Sequence, residues 1–219
     1  MRILLVRHGL TDKTGPVLAG RTPGVHLNAT GEAQARDLAE RLAGVPLTAV
    51  FSSPMERCRE TAGPLARAAS LRVRTDRRLV EVGYGAWTMQ PLPKLAKTSL
   101  WRAVQYRPTL AAFPDGESLL AAQQRIVGAI EDLRRAHEGN VVCCSHADMI
   151  KLAVAHYGGV HMDLYQRIVI APVSLTVLRF GDFGVQVERM NDTGGVADLA
   201  GGTGTKRRSS AAAKEWGHQ

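Results

Sequence analysis

The chain has 219 residues, a mass of 23.6 kDa and a formal net charge of +8, which fits one α/β domain or a domain with a tail. Its composition is 45% hydrophobic, enough for a core, yet no apolar run reaches the length of a membrane-spanning helix. No basic run is interleaved with aromatic residues, which a base-stacking surface needs. We therefore expect neither a membrane nor a nucleic acid as a partner.

Short apolar runs alternate with segments of helical periodicity along most of the chain. In chain order the pattern predicts strand 1–6, helix 32–42, strand 45–51, helix 54–69, strand 71–74, loops and short helices over 90–113, helix 119–137, strand 140–145, helix 148–157 and a hairpin of 173–180 with 185–190. Asn28 and Ser118 are suitable N-cap residues for the first and third long helices. This order predicts an α/β three-layer sandwich, with a mostly parallel central sheet, helices on both faces and an antiparallel edge.

The domain is predicted to span 1–192, and the Gly, Ser, Ala and basic segment 193–219 is expected to be a disordered tail. The N-terminus lacks the charged region of a signal peptide, so a cytoplasmic location is expected. Cys58, Cys143 and Cys144 have no zinc-ligand spacing and are expected to be buried; a cysteine nucleophile is the alternative.

Reactive side chains follow the predicted strands at the point where each strand ends. Arg7 and His8 follow the first strand, and His146 follows the strand 140–145. Arg57 lies one turn into the helix after the second strand, and Glu81 lies in a glycine-containing loop. Because open α/β sheets bind ligands at the carboxyl ends of their strands, we expect these groups to meet. Taken singly, each has a structural alternative: a buried histidine, a solvated arginine or an ion-paired glutamate.

Six segments of the chain repeat, in order, the motifs of one known family. They are Arg7-His8-Gly9 with Thr11, then 27–35, 52–62, 81–87, 113–118 and Ser145-His146. Together they resemble the histidine phosphatase superfamily, also called phosphoglycerate mutase-like. The resemblance implies that superfamily's fold, a phosphorylated small-molecule substrate, and chemistry that uses neither a metal nor another cofactor.

The resemblance also implies a role for each matching residue. His8 would be the nucleophile that takes the phosphoryl group, and Glu81 would protonate the leaving group. Arg7, Arg57 and His146 would surround the phosphoryl oxygens. For this chemistry we expect a neutral His8, a protonated Glu81 and a cationic His146.

Three further residues are candidates for substrate binding. Thr11 is close in sequence to the nucleophile, and Arg21 and Asn28 lie in the loop that would face the substrate. For each of them, a role in loop structure is an equal alternative.

The sequence departs from the mutase pattern of the same family at two places. Gly9 is followed by Leu10-Thr11-Asp12, and the segment 88–112 after the Glu81 loop is compact and begins Thr88-Met89. We therefore expect hydrolysis, with a cofactor-dependent phosphoglycerate mutase activity and a non-catalytic phosphate-binding protein as the alternatives. A homodimer is left open by the sequence.

Overall fold

A mixed sheet of six strands organises the part of the chain that the structure, a computed structural model, describes: residues 1–194. The strands are β1 (Arg2–Arg7), β2 (Leu47–Ser52), β3 (Val73–Thr75), β4 (Asn140–Ser145), β5 (Leu175–Gly181) and β6 (Gly184–Asp192). Their order in the sheet is β3-β2-β4-β1-β5-β6. The first four strands are parallel, and β5 and β6 form an antiparallel hairpin at one edge. The predicted fold class is confirmed.

Helices connect and cover these strands. They are α1 (Ala29–Arg41), α2 (Glu56–Ala68), α3 (Leu92–Leu95), α4 (Ser99–Tyr106), α5 (Leu119–Ala136) and α6 (Ala147–Tyr157). Four 3₁₀ helices lie at Arg77–Leu79, Gly85–Trp87, Pro108–Leu110 and Met162–Arg167. The 3₁₀ helix Pro108–Leu110 lies in the segment 90–113, where short helices were predicted. The sequence pattern did not predict the other three, because three to six residues are too few to show a period.

The two predicted caps hold their helices. Asn28 Oδ1 accepts the Gly31 N–H at 2.9 Å, and Ser118 Oγ accepts the Ala121 N–H at 3.1 Å. The helix α2 begins two residues after Pro54, where it was predicted to begin, because Met55 keeps extended backbone angles. The caps thus satisfy backbone donors that a helix start leaves unpaired.

Successive residues of β1 point to two different cores. Ile3 and Leu5 pack with α5 and α6 on one face, whereas Leu4 and Val6 pack in the cluster formed by α1 and α2 on the other. All four of these side chains are fully buried. Burial on both faces is typical of a parallel sheet and holds the strand ends in place.

The strand ends are aligned at one edge of the sheet. Arg7 pairs with Ser145 across β1 and β4, and the backbone N–H of His8 donates to the Ser145 carbonyl at 3.0 Å. On the other side of β4, the Ser53 N–H donates to the Cys144 carbonyl at 2.9 Å. The residues that follow β1, β2 and β4 therefore lie next to one another.

Within residues 1–194, no helix combines the length and the apolar character needed to cross a membrane. The predicted tail, 193–219, lies outside the described residues from 195 onward. Its predicted disorder stays a prediction.

Candidate active site

His8, at the carboxyl end of β1, has the properties of a nucleophile. Its side chain is almost fully buried, and burial, together with the positive charges of Arg57 and Arg7, lowers its pKa to about 3. The ring is therefore neutral near pH 7. Nδ1 lies 2.8 Å from the carbonyl oxygen of Gly9, which can only accept a hydrogen bond, so Nδ1 carries the proton. The Nε2 atom keeps its lone pair and can attack an electrophile.

Gly9 allows helix α1 to approach the nucleophile loop closely. A Cβ on Gly9 would lie 2.7 Å from the Gly31 carbonyl oxygen, and one on Gly31 would lie 2.1 Å from the Leu10 carbonyl oxygen. The Gly9 N–H also donates to Thr61 Oγ1 at 3.0 Å. These contacts fix the backbone on which His8 sits.

Two guanidinium groups beside His8 hold buried N–H donors without partners. Arg57 is 2% exposed, and one of its nitrogens donates to the Gly20 carbonyl at 2.6 Å. Arg7 donates to the Ile170 carbonyl at 2.7 Å. The remaining buried atoms Arg57 Nε, Arg57 Nη1 and Arg7 Nε bond to no group among residues 1–194. Buried unpaired donors are unfavourable, so their presence beside a nucleophile indicates an anion-binding site.

His146 lies beneath this site and is fully buried. Its ring centroid is 5.3 Å from that of His8. Arg57 donates to His146 Nδ1 at 3.2 Å, and the opposite atom, Nε2, lies 2.9 Å from Ser53 Oγ. Because Nδ1 accepts, Nε2 carries the proton in this arrangement.

We expect the cationic state of His146 in the presence of a bound phosphate dianion, and that expectation stays a prediction; without the anion, the surroundings of the ring favour its neutral form. Burial, and then the positive charge of Arg57, holds the pKa of His146 well below its usual value. The sequence shows that a second histidine follows a strand, but not that an arginine points a donor at it. His146 is therefore a neutral ring in contact with Arg57.

Glu81 faces the site as a protonatable carboxyl. Its side chain is 8% exposed, and Oε1 accepts the Val82 N–H at 3.0 Å. Burial, followed by the negative charge of Asp148, raises the pKa of Glu81 to about 7. A substantial fraction of this carboxyl therefore carries a proton near neutral pH, as expected for a general acid.

The backbone around Glu81 is held by three charged side chains, which we call the Glu117 clamp: Arg21, Glu117 and Arg125. Arg21 Nε donates to the Glu81 carbonyl at 2.8 Å. Glu117 Oε1 accepts from Arg21 at 2.6 Å, from Arg125 at 2.7 Å and from the Gly83 N–H at 2.8 Å. The sequence analysis gave Arg21 a role in substrate binding or, equally, in loop structure, and it did not identify Arg125. The motif segment 113–118 contained Glu117 but gave it no role.

A cavity of about 250 Å³ lies in front of these groups. Its walls include five of the eight candidate residues, and these are Arg7, His8, Thr11, Arg57 and Glu81. Among the described residues, His146, Arg21 and Asn28 do not line it. Asn28 caps α1 and also donates to Asp12 Oδ1 at 3.2 Å. In the structure, Arg21 and Asn28 thus make loop and helix contacts. This is the role that the sequence analysis gave as the alternative to substrate binding.

Asp148 is a wall residue of this cavity that sequence reasoning missed. Asp148 Oδ2 accepts from the Tyr84 hydroxyl at 2.7 Å, and Asp148 Oδ1 lies 3.5 Å from Lys151 Nζ. The sequence feature that could have pointed to Asp148 is an acidic residue in the first turn of the helix that follows His146. Such a residue also stabilises a helix N-terminus without any other role, which is why the pattern alone did not single it out.

A larger groove of about 640 Å³ lies between α1 and α2, away from the nucleophile. It carries charges of both signs, from Glu32, Glu56, Glu60, Arg36, Arg59 and Arg67. Neither His8 nor Glu81 contributes to it. Chemistry therefore assigns the site to the smaller cavity, although it is not the largest.

The cysteine alternative finds no support in the site. Cys58 Sγ lies 3.4 Å from His146 Nε2, but burial raises the pKa of this thiol to about 12. Burial also raises the pKa values of Cys143 and Cys144 above that of a free thiol. All three therefore remain protonated thiols near neutral pH, which are poor nucleophiles.

Comparison with known proteins identifies the family of this chain. A family model described as "Histidine phosphatase superfamily (branch 1)" matches residues 3–193. The chain is 34% identical over 157 residues to the uncharacterized protein Rv0525 of Mycobacterium tuberculosis (strain ATCC 25618 / H37Rv), which covers 66% of this chain and 72% of that protein. It is 31% identical over 152 residues to phosphoserine phosphatase 1 of Hydrogenobacter thermophilus (strain DSM 6534 / IAM 12695 / TK-6), covering 67% and 71% of the two chains.

A solved structure extends the likeness to the fold. The mycobacterial glucosyl-3-phosphoglycerate phosphatase Rv2419c superposes with a TM-score of 0.78 at 24% identity, over 87% of this chain and 98% of that one. The fold and the motif order lead to the same assignment. The chain belongs to the histidine phosphatase superfamily, and the expected enzyme class, a phosphatase, is confirmed.

Proposed function

We propose that this protein hydrolyses small phosphomonoesters through a phosphohistidine on His8, with Glu81 as the proton donor. One observation carries the proposal: Arg7 and Arg57, which hold buried N–H donors without a partner among residues 1–194, line the same cavity as a neutral His8. Phosphoryl transfer depends mainly on in-line positioning and on stabilising charge on the phosphoryl oxygens. Two guanidinium groups next to a nucleophile are suited to both tasks.

In the first step, the His8 Nε2 lone pair forms a bond to phosphorus while the bond from phosphorus to the ester oxygen breaks. Glu81 transfers its proton to that oxygen, which leaves as an alcohol. The Nδ1–H bond to the Gly9 carbonyl at 2.8 Å stabilises the positive charge that the ring gains. Arg7 and Arg57 hold the phosphoryl oxygens during the transfer.

In the second step, the Glu81 carboxylate takes a proton from water, and the water oxygen bonds to phosphorus. The bond from phosphorus to Nε2 breaks, its electron pair returns to His8, and phosphate leaves. Glu81 is again protonated, so the cycle closes without a net change in the protein. A carboxyl with a pKa of about 7 is suited to both directions of proton transfer.

We propose that His146 acts through Arg57. It accepts a hydrogen bond from Arg57 at 3.2 Å and is itself held by Ser53 at 2.9 Å. This chain of contacts fixes the plane of the guanidinium, which directs the two unpaired donors of Arg57. His146 is therefore a positioning residue.

The test is phosphate release from a panel of phosphomonoesters in the presence of EDTA, together with an acid quench for a labile phosphoenzyme. We expect His8→Ala to reduce release by at least about a thousandfold and to abolish the phosphoenzyme. His156→Ala, at an exposed position of α6, is the matched control and should behave like the wild type.

Each alternative has its own outcome in this experiment. Release that persists in His8→Ala would contradict the proposed nucleophile. Interconversion of phosphoglycerates without net release would identify a mutase. An absence of both turnover and phosphoenzyme would leave a phosphate-binding protein.

A further inference from the structure

We propose that Asp148 determines substrate specificity: it selects phosphomonoesters whose leaving group carries an ammonium or hydroxyl group over those that carry a carboxylate. The inference rests on the proposed function, since it concerns the leaving group in the same cavity. It extends that function by naming the substrate class.

The position of Asp148 brings its carboxylate to the wall of the cavity that contains His8 and Glu81. The side chain is 19% exposed. Asp148 Oδ2 is occupied by the Tyr84 hydroxyl at 2.7 Å. Asp148 Oδ1 is 3.5 Å from Lys151 Nζ, an ion-pair distance longer than a normal hydrogen bond, so this oxygen keeps capacity to accept a donor.

Counting the charges around the cavity shows why the carboxylate of Asp148 matters for the leaving group. A phosphoryl dianion is neutralised by Arg7 and Arg57, and a protonated Glu81 adds no charge. Asp148 then remains as a carboxylate on the wall, with Lys151 at an ion-pair distance of 3.5 Å from its Oδ1. Lys13 also borders the cavity, but its side chain is exposed and its charge is screened by solvent.

Lys151 does not stand between the Asp148 carboxylate and the cavity. It donates to Gln166 Oε1 at 3.0 Å and lies 5.7 Å from the centre of the Tyr165 ring. Among the described residues it is not one that lines the cavity. Of this ion pair, Asp148 is therefore the member that lines the cavity and that a substrate there can contact.

The cavity also limits the size of the leaving group. Its volume of about 250 Å³ is below the range of about 300 to 1,000 Å³ that holds drug-sized ligands. Val17, Leu18 and Leu92 give it apolar walls. After the phosphoryl group is placed, space remains for a short carbon chain, whose polar end would lie near Asp148. A carboxylate at that end meets a like charge, whereas an ammonium or hydroxyl meets an acceptor.

The test compares three phosphomonoesters of similar length: phosphoethanolamine, propyl phosphate and 2-phosphoglycolate. We expect the wild type to show its highest kcat/KM with the ammonium ester and its lowest with the carboxylate ester. Asp148→Asn keeps an oxygen for Tyr84 but removes the charge, and it should lower the ratio of the two by about tenfold. Asp182→Asn, in the exposed turn of the β5–β6 hairpin, is the control and should leave the ratio unchanged.

The outcomes separate this inference from the function on which it rests. If p-nitrophenyl phosphate is hydrolysed in a His8-dependent way but Asp148→Asn keeps the wild-type ratio, the inference is overturned and the function stands. If His8-dependent hydrolysis is absent for every ester, both fall. Should the Asn variant fail to fold, the wild type decides: 2-phosphoglycolate as the preferred ester overturns the inference.

Discussion

Replacing Glu81 with Gln tests the acid on which the proposed mechanism depends. Glutamine keeps the size of the side chain and an acceptor for the Val82 N–H, but it has no proton to transfer. Loss of general acid catalysis typically lowers a rate by about 10² to 10⁴, or about 3 to 5 kcal/mol in activation free energy. We expect a loss of this size in kcat/KM for alkyl phosphates.

The environment of Glu81 accounts for much of this effect. A carboxyl with the ordinary pKa of 4.5 is protonated in about 0.3% of molecules at pH 7, whereas one with a pKa of about 7 is protonated in about half. Burial and Asp148 thus make the acid about a hundredfold more available. Because the first step needs the protonated form, wild-type kcat/KM should fall above about pH 7. On the acid side, protonation of His8 lowers it only towards the pKa of that ring, about 3, while protonation of the substrate dianion at about pH 6 adds a dependence that the Glu81→Gln variant shares.

The assay is kcat/KM against pH for an alkyl phosphate and for p-nitrophenyl phosphate, whose leaving group needs little protonation. In Glu81→Gln, the decline above about pH 7 should disappear, and the loss should be much smaller with the nitrophenyl ester. An equal loss with both esters, or a decline that persists in the variant, would refute the assignment of Glu81.

The same variant tests the raised pKa of Glu81 independently, through the free energy of unfolding. The folded chain binds the Glu81 proton up to about pH 7, whereas the unfolded chain releases it near pH 4.5. Stability from this group is therefore full below pH 4.5 and is lost as pH rises through about 7, by about 3 kcal/mol in total. Urea unfolding at about pH 8 should find Glu81→Gln more stable than the wild type, with the difference vanishing near pH 4.

Two further substitutions test the supports of the site. Glu117→Gln weakens the clamp on the Glu81 backbone, so we expect kcat to fall about tenfold. Inhibition by inorganic phosphate, whose proposed ligands are Arg7 and Arg57, should stay unchanged. Gly31→Ala would place a Cβ 2.1 Å from the Leu10 carbonyl oxygen, and thermal unfolding should show a loss of about 3 kcal/mol.

Matched controls exist for both. Glu138→Gln removes the same charge at an exposed position near the other end of the sheet and should leave kcat unchanged. Gly128→Ala adds a Cβ within helix α5 with no atom within 4 Å, so it should be neutral or slightly stabilising. Weaker phosphate inhibition in Glu117→Gln would contradict a role confined to the Glu81 backbone, and a wild-type melting temperature in Gly31→Ala would contradict the close approach of α1.

The sequence was sufficient to predict the fold and the groups that meet in the site. The period of the apolar residues determined the positions of β1, β2 and β4, and polar residues at parallel strand ends must meet at one edge. Arg7, His8, Arg57 and His146 were identified in this way, together with Glu81 in its glycine-containing loop, and the resemblance to the family added a role for each.

Properties that depend on three-dimensional surroundings could not be predicted. The lowered pKa of His146 follows from complete burial beside Arg57, and neither is visible in the sequence. Arg21 lies on the loop expected to face the cavity, yet its side chain turns to Glu117, which belongs to a segment about a hundred residues away. Asp148 was missed because a helix start explains an acidic residue just as well.

The unpaired N–H groups of Arg57 and Arg7 have a consequence for the protein as a whole. Among residues 1–194 these buried donors bond to no group, so this part of the chain folds with less stability than bonded donors would provide. Any phosphate that enters the site supplies the missing acceptors and returns that free energy to the fold. The resistance of this protein to unfolding should therefore report how much of its phosphate site is occupied.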